Sequence, residues 1–321
     1  MEVPTLRDVY RAKKTIAPHI TRTPLHYSSG LSEYLEAEIY LKHEEYLPLG
    51  AFKGRGGINL LSSLTEEEKK LGVITASSGN HGQSIASACK LFGVKAMVGL
   101  PEDANPNKVA AMRALGAEII FHGPDFDSAR LHCESLAEEE GYLYVHPVND
   151  PFIIAGAGTQ ALETLEDLPD VEVFMLPMGG GSGVSGAIIV AKGIDPSIEV
   201  LAVQSEQAPA GYLSWKQGEI VESDMNTVAE GIATRSGYAL PQEIMSGLLD
   251  DFLLVSDDDI HRAIGLLVDK AHTLAEGAGA TALAGAVRYP EKVKGKKVAI
   301  TISGGNITSE QLRQSLNVYE G

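Results

Sequence analysis

Short apolar runs recur along the chain, and segments of helical period follow them. Glu38–Lys42 (EIYLK) is the first run. Gly72–Thr75 (GVIT) leads into a helical pattern over Gly82–Phe92. Ala96–Leu100 leads into Pro106–Leu115, and Glu118–Phe121 into Asp127–Glu140. Val173–Leu176, Val200–Gln204 and Val298–Ile302 continue the theme. Strand–helix alternation at this spacing builds parallel sheets covered by helices. The pattern predicts an α/β protein of two doubly wound domains, mostly parallel sheets with helices on both faces. The compact strand–helix units within 63–148 read as a small domain inserted into a larger one made of 1–62 and 149–321. Thr65–Lys70 (TEEEKK) reads as a solvated helix end. Glu206–Leu249, which holds the only tryptophan, Trp215, has no assignable pattern.

The composition narrows the class. With 321 residues and 44% hydrophobic content, the chain can bury a large core. Its formal net charge of −17 argues against nucleic acid and against anionic membranes as partners. No apolar run reaches the roughly 18 residues of a membrane span, and the first residues, MEVPTLRDVYRAKK, lack an apolar signal segment. The two cysteines, Cys89 and Cys133, cannot build a disulfide framework and read as buried thiols of a reducing compartment. The expected location is the cytoplasm.

In parallel sheets, ligands sit beyond the carboxyl ends of the strands, so the loops that follow the strands carry the chemistry. Ser77-Ser78-Gly79-Asn80-His81-Gly82 follows one strand. Its small and hydroxyl residues leave backbone N–H groups free at a helix start, a site suited to a carboxylate. Asn80 and His81 could add side-chain hydrogen bonds. A plain N-cap and turn needs fewer polar residues than this run contains. Gly179-Gly180-Gly181-Ser182-Gly183 follows VFMLPM and precedes a helix expected near Ser185. Its backbone N–H groups can wrap a phosphate. The same loop matches G-x-G-x-x-G from Gly181 to Gly186, and the next strand ends at Glu206. On that basis alone a nicotinamide dehydrogenase competes, although so short a glycine motif has low specificity. Ser303-Gly304-Gly305-Asn306 closes the last strand, and its serine can meet a ring nitrogen. Finally, Lys53 sits in GAFKGRGG, Gly50–Gly57. A lone lysine is usually a solvated charge, but a desolvated amine is a candidate Schiff-base nucleophile. Together, a phosphate loop, a carboxylate loop, a ring-nitrogen partner and an amine fit pyridoxal phosphate.

Over nearly its whole length the chain resembles the fold-type II pyridoxal-phosphate enzymes, which are tryptophan synthase β-like in fold. It is most similar to the threonine dehydratase and serine racemase family. The resemblance runs through Thr23-Pro24-Leu25, Lys42-His43-Glu44, Ala51-Phe52-Lys53, Ser77–Gln83, Pro101, Lys108, Gly116-Ala117, His146-Pro147, Gly156–Thr159, the glycine loop, Glu276–Ala280 and Ser303–Asn306. It implies that Lys53 carries the cofactor covalently and that Phe52 lies beside the ring. It implies that Asn80 bonds the ring hydroxyl, that Gly179, Gly180, Gly181, Ser182 and Gly183 hold the phosphate, and that Ser303 meets the pyridine nitrogen. Ser77, Ser78, Asn80 and His81 would bind the substrate carboxylate. Ser78 matches the second base of racemases. The implied activity is an ammonia-lyase (dehydratase) acting on a β-hydroxy amino acid such as L-threonine or L-serine. Serine-type racemisation by Lys53 and Ser78 is the alternative, and β-replacement or a non-catalytic binding protein are further ones. A homodimer is expected by the same resemblance. The glycines around Lys53 read as clearance for a flat cofactor.

The chain departs from the family pattern in several places. Ala51 stands where relatives carry serine, Ser182 replaces the fourth glycine of the phosphate loop, and Ala229-Glu230-Gly231 replaces Ala-Asp-Gly. Ala157 stands in place of a glutamine. At the divalent-metal site of some members, Glu206 and Ala210 match, but the third position is Tyr212, so no metal is expected. Isoleucine control by a C-terminal regulatory domain is not expected either.

Overall fold

The computed structural model describes residues 2–320. Its ten strands are β1 (Leu25–Tyr27), β2 (Glu38–His43), β3 (Val73–Ala76), β4 (Ala96–Leu100), β5 (Glu118–Phe121), β6 (Leu143–Tyr144), β7 (Val173–Pro177), β8 (Glu199–Ser205), β9 (Asp251–Val255) and β10 (Lys297–Ile302). They form a six-stranded sheet, ordered β1-β2-β10-β7-β8-β9, and a four-stranded sheet, ordered β5-β4-β3-β6. Every pairing is parallel except that of the edge strand β1 with β2. The α/β class and the helix-covered parallel sheets follow the sequence pattern. Strands β1, β6 and β9 were not expected from it. The first two are too short to carry a period. The unassigned stretch resolves into two helices, Ala210–Gln217 and Ala239–Met245, joined by an irregular segment.

The central strands of both sheets are buried on both faces, which is why β3, β4 and β7 are almost wholly apolar. In the large sheet, Phe174, Leu176, Val200 and Ala202 point into one core, with Val184 and Ile188 of the Ser182–Ile194 helix. Their neighbours Val173, Met175, Leu201 and Val203 point into another, with Ile264 and Leu283. In the small sheet, Val73 and Val98 share the first core. Ile74, Ala76 and Met97 pack with Cys133 on the opposite side. Gly99 makes room for that thiol, since a Cβ there would lie 2.1 Å from Cys133 Sγ. Cys89 and Cys133 are both buried free thiols, and burial pushes them up to about 12 and about 11.

Three helices meet beneath the lysine loop. The Gly54–Ser63 helix packs on both Pro151–Asp167 and Asn80–Phe92. Gly56 and Gly57 serve that packing. A Cβ on Gly56 would lie 3.0 Å from the Ile153 carbonyl oxygen, and one on Gly57 would lie 2.3 Å from Ser84 Oγ.

Arg55, in the first turn of the same helix, is wholly buried. Its Nε donates to Glu44 Oε2 at 2.7 Å, and Nη1 to Glu163 Oε1 at 2.8 Å and Thr159 Oγ1 at 3.0 Å. Its Nη2 donates to Glu44 Oε1 at 2.9 Å and Glu163 Oε2 at 2.8 Å. Lys42 of β2 closes the cluster, donating to Glu163 Oε2 at 2.6 Å and to the Thr23 carbonyl at 2.8 Å. Burial opposes ionisation, but Glu44 and Glu163 hold the guanidinium firmly protonated. Two cations and two carboxylates thus balance in a buried cluster.

Removing one member leaves its partners charged and uncompensated. Arg55→Ala is expected to destabilise the fold by about 3–5 kcal/mol, read as a lower denaturant midpoint. A loss below about 1 kcal/mol, the level of an exposed pair, would show that the cluster is not structural.

Candidate active site

Lys53 stands at the N-terminal boundary of the Gly54–Ser63 helix, in helical backbone with φ −57° and ψ −27°. It therefore sits at an ordered helix start and not in a flexible turn. Ser84 Oγ donates to the Lys53 carbonyl at 2.7 Å, which ties the residue to the Asn80–Phe92 helix. Its amine has no carboxylate partner among the described residues. It donates to Ser182 Oγ at 3.2 Å and lies 5.0 Å from the centre of the Phe52 ring. Burial without a counter-ion favours the neutral amine, and the pKa falls to about 8.

Ser182 belongs to the loop after β7. The helix there begins at Ser182, three residues earlier than expected, so Ser182 and Gly183 form its first turn. Gly181 has φ +105°, a left-handed conformation that favours glycine. A Cβ on Gly180 would strike Val148 Cγ2 at 2.2 Å. No side chain caps this helix, although its first residues are buried. The hydroxyl of Ser185, one turn further on, is buried without a partner among the described residues. A buried helix start with unsatisfied donors calls for an anion. These residues fit the phosphate of pyridoxal phosphate.

The turn after β3 lies on the other side. The helix there starts at Asn80, two residues earlier than expected. Its first-turn N–H groups, those of Asn80, His81 and Gly82, have no preceding helical acceptor. Ser77 Oγ accepts the Gly79 N–H at 3.3 Å, and Ser78 is half-buried. The His81 ring is turned away from the turn. Its Nε2 lies 3.1 Å from Thr75 Oγ1, and that hydroxyl already donates to the Val145 carbonyl at 2.8 Å. Nε2 must therefore carry the proton and donate. Burial first, then the charges of Lys53 and His146, push this imidazole down to about 3. It is neutral, and what His81 can offer a carboxylate is its backbone N–H.

A short ladder brings the last loop in. The Phe52 N–H donates to the Ser303 carbonyl at 3.0 Å, and the Gly305 N–H to that of Gly50 at 2.9 Å. Ala51, itself buried, is bridged to Gly304. Asn80 Nδ2 donates to Glu276 Oε1 at 2.8 Å, and Asn306 Nδ2 donates to Asn80 Oδ1 at 2.9 Å. The structure thus joins Lys53, the glycine loop, the Asn80 turn and the Ser303 turn in one place. Sequence reasoning left Glu276, Glu163 and Arg55 without roles. The available signal for the buried ones was an acid inside the otherwise uncharged stretch AGAGTQALETL, and the charged Lys42 and Glu44 at the end of β2.

Two other sequence features lie elsewhere. Glu206 pairs with Arg288 at 2.8 Å, and the Tyr212 ring meets Phe252 edge-on at 5.6 Å. Gly186, the last glycine of the G-x-G-x-x-G match, lets two helices touch. A Cβ there would lie 2.5 Å from the Gly158 nitrogen. That glycine is explained by packing.

The family described as "Pyridoxal-phosphate dependent enzyme" matches residues 16–304. The chain belongs to this family, and pyridoxal phosphate is its cofactor. Among its relatives, the L-threonine ammonia-lyase of Thermotoga maritima is 43% identical over 315 residues, covering 98% of this chain and 78% of the relative. The catabolic L-threonine dehydratase TdcB of Escherichia coli is 37% identical over 310 residues, covering 96% and 94%. The solved structure of maize serine racemase superposes with a TM-score of 0.91 at 31% identity, covering 98% of each chain.

The lowered Lys53 pKa gives a testable pH dependence if this amine is the one that captures the cofactor. Its pKa lies below the ordinary lysine value, so the free amine accumulates as pH rises toward about 8. Apoprotein mixed with pyridoxal phosphate should gain its visible band roughly tenfold faster per pH unit below that value, then reach a plateau. A capture rate in stopped-flow absorbance that keeps climbing to pH 10 would mean an ordinary, solvated lysine.

Proposed function

We propose that the protein is a pyridoxal-phosphate-dependent ammonia-lyase. It converts a β-hydroxy amino acid such as L-threonine or L-serine to a 2-oxo acid and ammonia by β-elimination. The observation that carries this reading is the Lys53 amine, desolvated, free of any acid and set among three anion- or ring-binding loops. The kinship to an L-threonine ammonia-lyase and an L-threonine dehydratase supports the same reaction.

Each loop has a task in this scheme. The first-turn N–H groups of Asn80, His81 and Gly82, with Ser77 and Ser78, hold the substrate carboxylate. The start of the Ser182–Ile194 helix holds the cofactor phosphate through Gly179, Gly180, Gly181, Ser182 and Gly183. Phe52 flanks the ring, and Asn80 donates to its hydroxyl. Bound pyridoxal phosphate supplies an electron sink for negative charge at the substrate Cα. Lys53 Nζ, neutral once displaced, takes the Cα proton. The Cβ–O bond then breaks, and the hydroxyl leaves as water with the proton that Lys53 took from Cα, which returns the amine to its neutral form. The released enamine tautomerises, and water hydrolyses it to the 2-oxo acid and ammonia. Ser303 would be the partner of the ring nitrogen, and a neutral hydroxyl would not fix a proton there as a carboxylate would.

Residues 1–62 and 149–321 would form the cofactor-binding domain, and 63–148 the domain that brings the carboxylate loop. A homodimer in the cytoplasm completes the proposal. The two buried free thiols support a reducing compartment, and no helix among the described residues is long and apolar enough to cross a membrane.

Purified enzyme with pyridoxal phosphate and L-threonine or L-serine should release 2-oxo acid, and Lys53→Ala should abolish both this and the visible band. Absence of keto acid from every β-hydroxy amino acid tested would exclude the lyase reading.

Serine racemisation is the second reading, favoured by the fit to maize serine racemase and by the place of Ser78 in the half-buried turn after β3. Lys53 and Ser78 would then act as opposed bases, one removing the Cα proton and the other returning a proton on the opposite side. Ser78→Ala should then stop interconversion of L- and D-serine, read by chiral chromatography, while keto-acid release from the L-substrate persists. If both activities vanish together, Ser78 acts in carboxylate binding and not as a second base.

A further inference from the structure

Glu276 is an acid at the N-cap of the twelve-residue Gly277–Arg288 helix, yet its side chain makes no cap hydrogen bond. An N-cap acid normally accepts from its own helix. Here the carboxyl turns to Asn80 and accepts its Nδ2–H at 2.8 Å. The backbone is shaped to admit it. A Cβ on Gly304 would lie 2.4 Å from Glu276 Oε1, so any larger residue there would expel the carboxyl. The Glu276 N–H donates to the Gly304 carbonyl at 3.1 Å, tying the acid to the Ser303 turn.

Hydrogen-bond accounting shows what this contact does. Asn306 Nδ2 donates to the Leu49 carbonyl and to Asn80 Oδ1, both at 2.9 Å, which uses both of its hydrogens. Asn80 Oδ1 is therefore an acceptor, and Asn80 Nδ2 has two hydrogens to give. Glu276 takes one. The other has no acceptor among the described residues.

We propose that Glu276 is a positioning residue. With Asn306 it fixes the Asn80 amide so that one N–H stays free for the cofactor's ring oxygen, and its own charge sets how strongly that N–H donates. The inference rests on the cofactor reading above and deepens it. An ionised Glu276 polarises the Asn80 amide and strengthens the remaining donor, whereas a protonated one relaxes it.

The surroundings make that charge switchable. Glu276 has no ion-pair partner among the described residues. Glu230, near the cleft, disfavours its ionisation, and Lys108, which favours it, is already paired with Glu230. Glu45, packed against Gly305, is occupied by His43 at 2.6 Å. Lys53 donates to Ser182. Burial first, opposed by the Asn80 hydrogen bond, pushes the carboxyl up to about 7.

The test follows the absorbance of the holoenzyme from pH 5.5 to 9 and measures cofactor retention by dialysis, for wild type, Glu276→Gln and Glu276→Asp. Thermal unfolding checks that each variant is folded. Glutamine keeps an acceptor oxygen but cannot titrate, and aspartate titrates but is too short to hold Asn80. Wild type should show a spectral step with its midpoint near 7. Glu276→Gln should lose the step while retaining cofactor, and Glu276→Asp should retain cofactor roughly fivefold less well. A step that persists in Glu276→Gln, or cofactor retention in Glu276→Asp equal to wild type, overturns the inference. If the wild type binds cofactor through Lys53 with no such step, only this inference fails. If no visible band forms at all, the cofactor reading fails and takes the inference with it.

Discussion

The buried Arg55 guanidinium is the constraint on which the site depends. It is the point where three parts of the chain meet: the helix that starts after Lys53, the turn after β2 through Glu44, and the Pro151–Asp167 helix through Glu163. Such a cluster tolerates little displacement, because a shift of about an ångström turns paired charges into uncompensated ones in a low-dielectric interior. Arg55 is two residues from Lys53. Whatever holds Arg55 therefore also fixes where the amine stands, to within the freedom of its own side chain.

Two neighbouring cations of one short segment have opposite surroundings. Arg55 is surrounded by two carboxylates and two threonine hydroxyls, and it stays charged. Lys53 is half-buried without an acid beside it, and its neutral form is favoured. Guanidinium suits the first role, since it is planar, always charged and able to fork between two carboxylates. An ammonium suits the second, since it loses its proton within a useful range and then becomes a nucleophile. Exchanging the two residues would put an always-charged guanidinium where no acid balances it and an ammonium where two carboxylates call for a fork.

Around the amine, the chain presents mostly neutral donors. The His81 ring is neutral and bonded to Thr75, the Ser182 and Ser303 hydroxyls are buried, and two helix starts offer backbone N–H groups. Such a site leaves the charges of cofactor and substrate to dominate the local field, and backbone donors need no reorganisation as those charges move. Glu276 is the ionisable exception, held in the slot that Gly304 leaves open.

Much of this was legible in the sequence. Short apolar runs alternating with segments of helical period fit interior strands of a helix-covered parallel sheet, so the class and most elements followed from the pattern. The loops after those strands gave the candidate residues, because a run such as Gly179–Gly183 or Ser77–Gly82 has few uses other than a turn that admits an anion. Tertiary structure decided what such patterns cannot encode. It showed that Gly56 and Gly57 serve helix packing, that the His81 ring faces the sheet, and that two helices begin two or three residues before their periodicity does. It also paired Arg55 with Glu163 and Asn80 with Glu276, partners 108 and 196 positions apart. The physical reason is the same in each case. Periodicity reports which side of an element is buried, but not which distant atom lies against it, and the pKa of a buried group is set by those distant atoms.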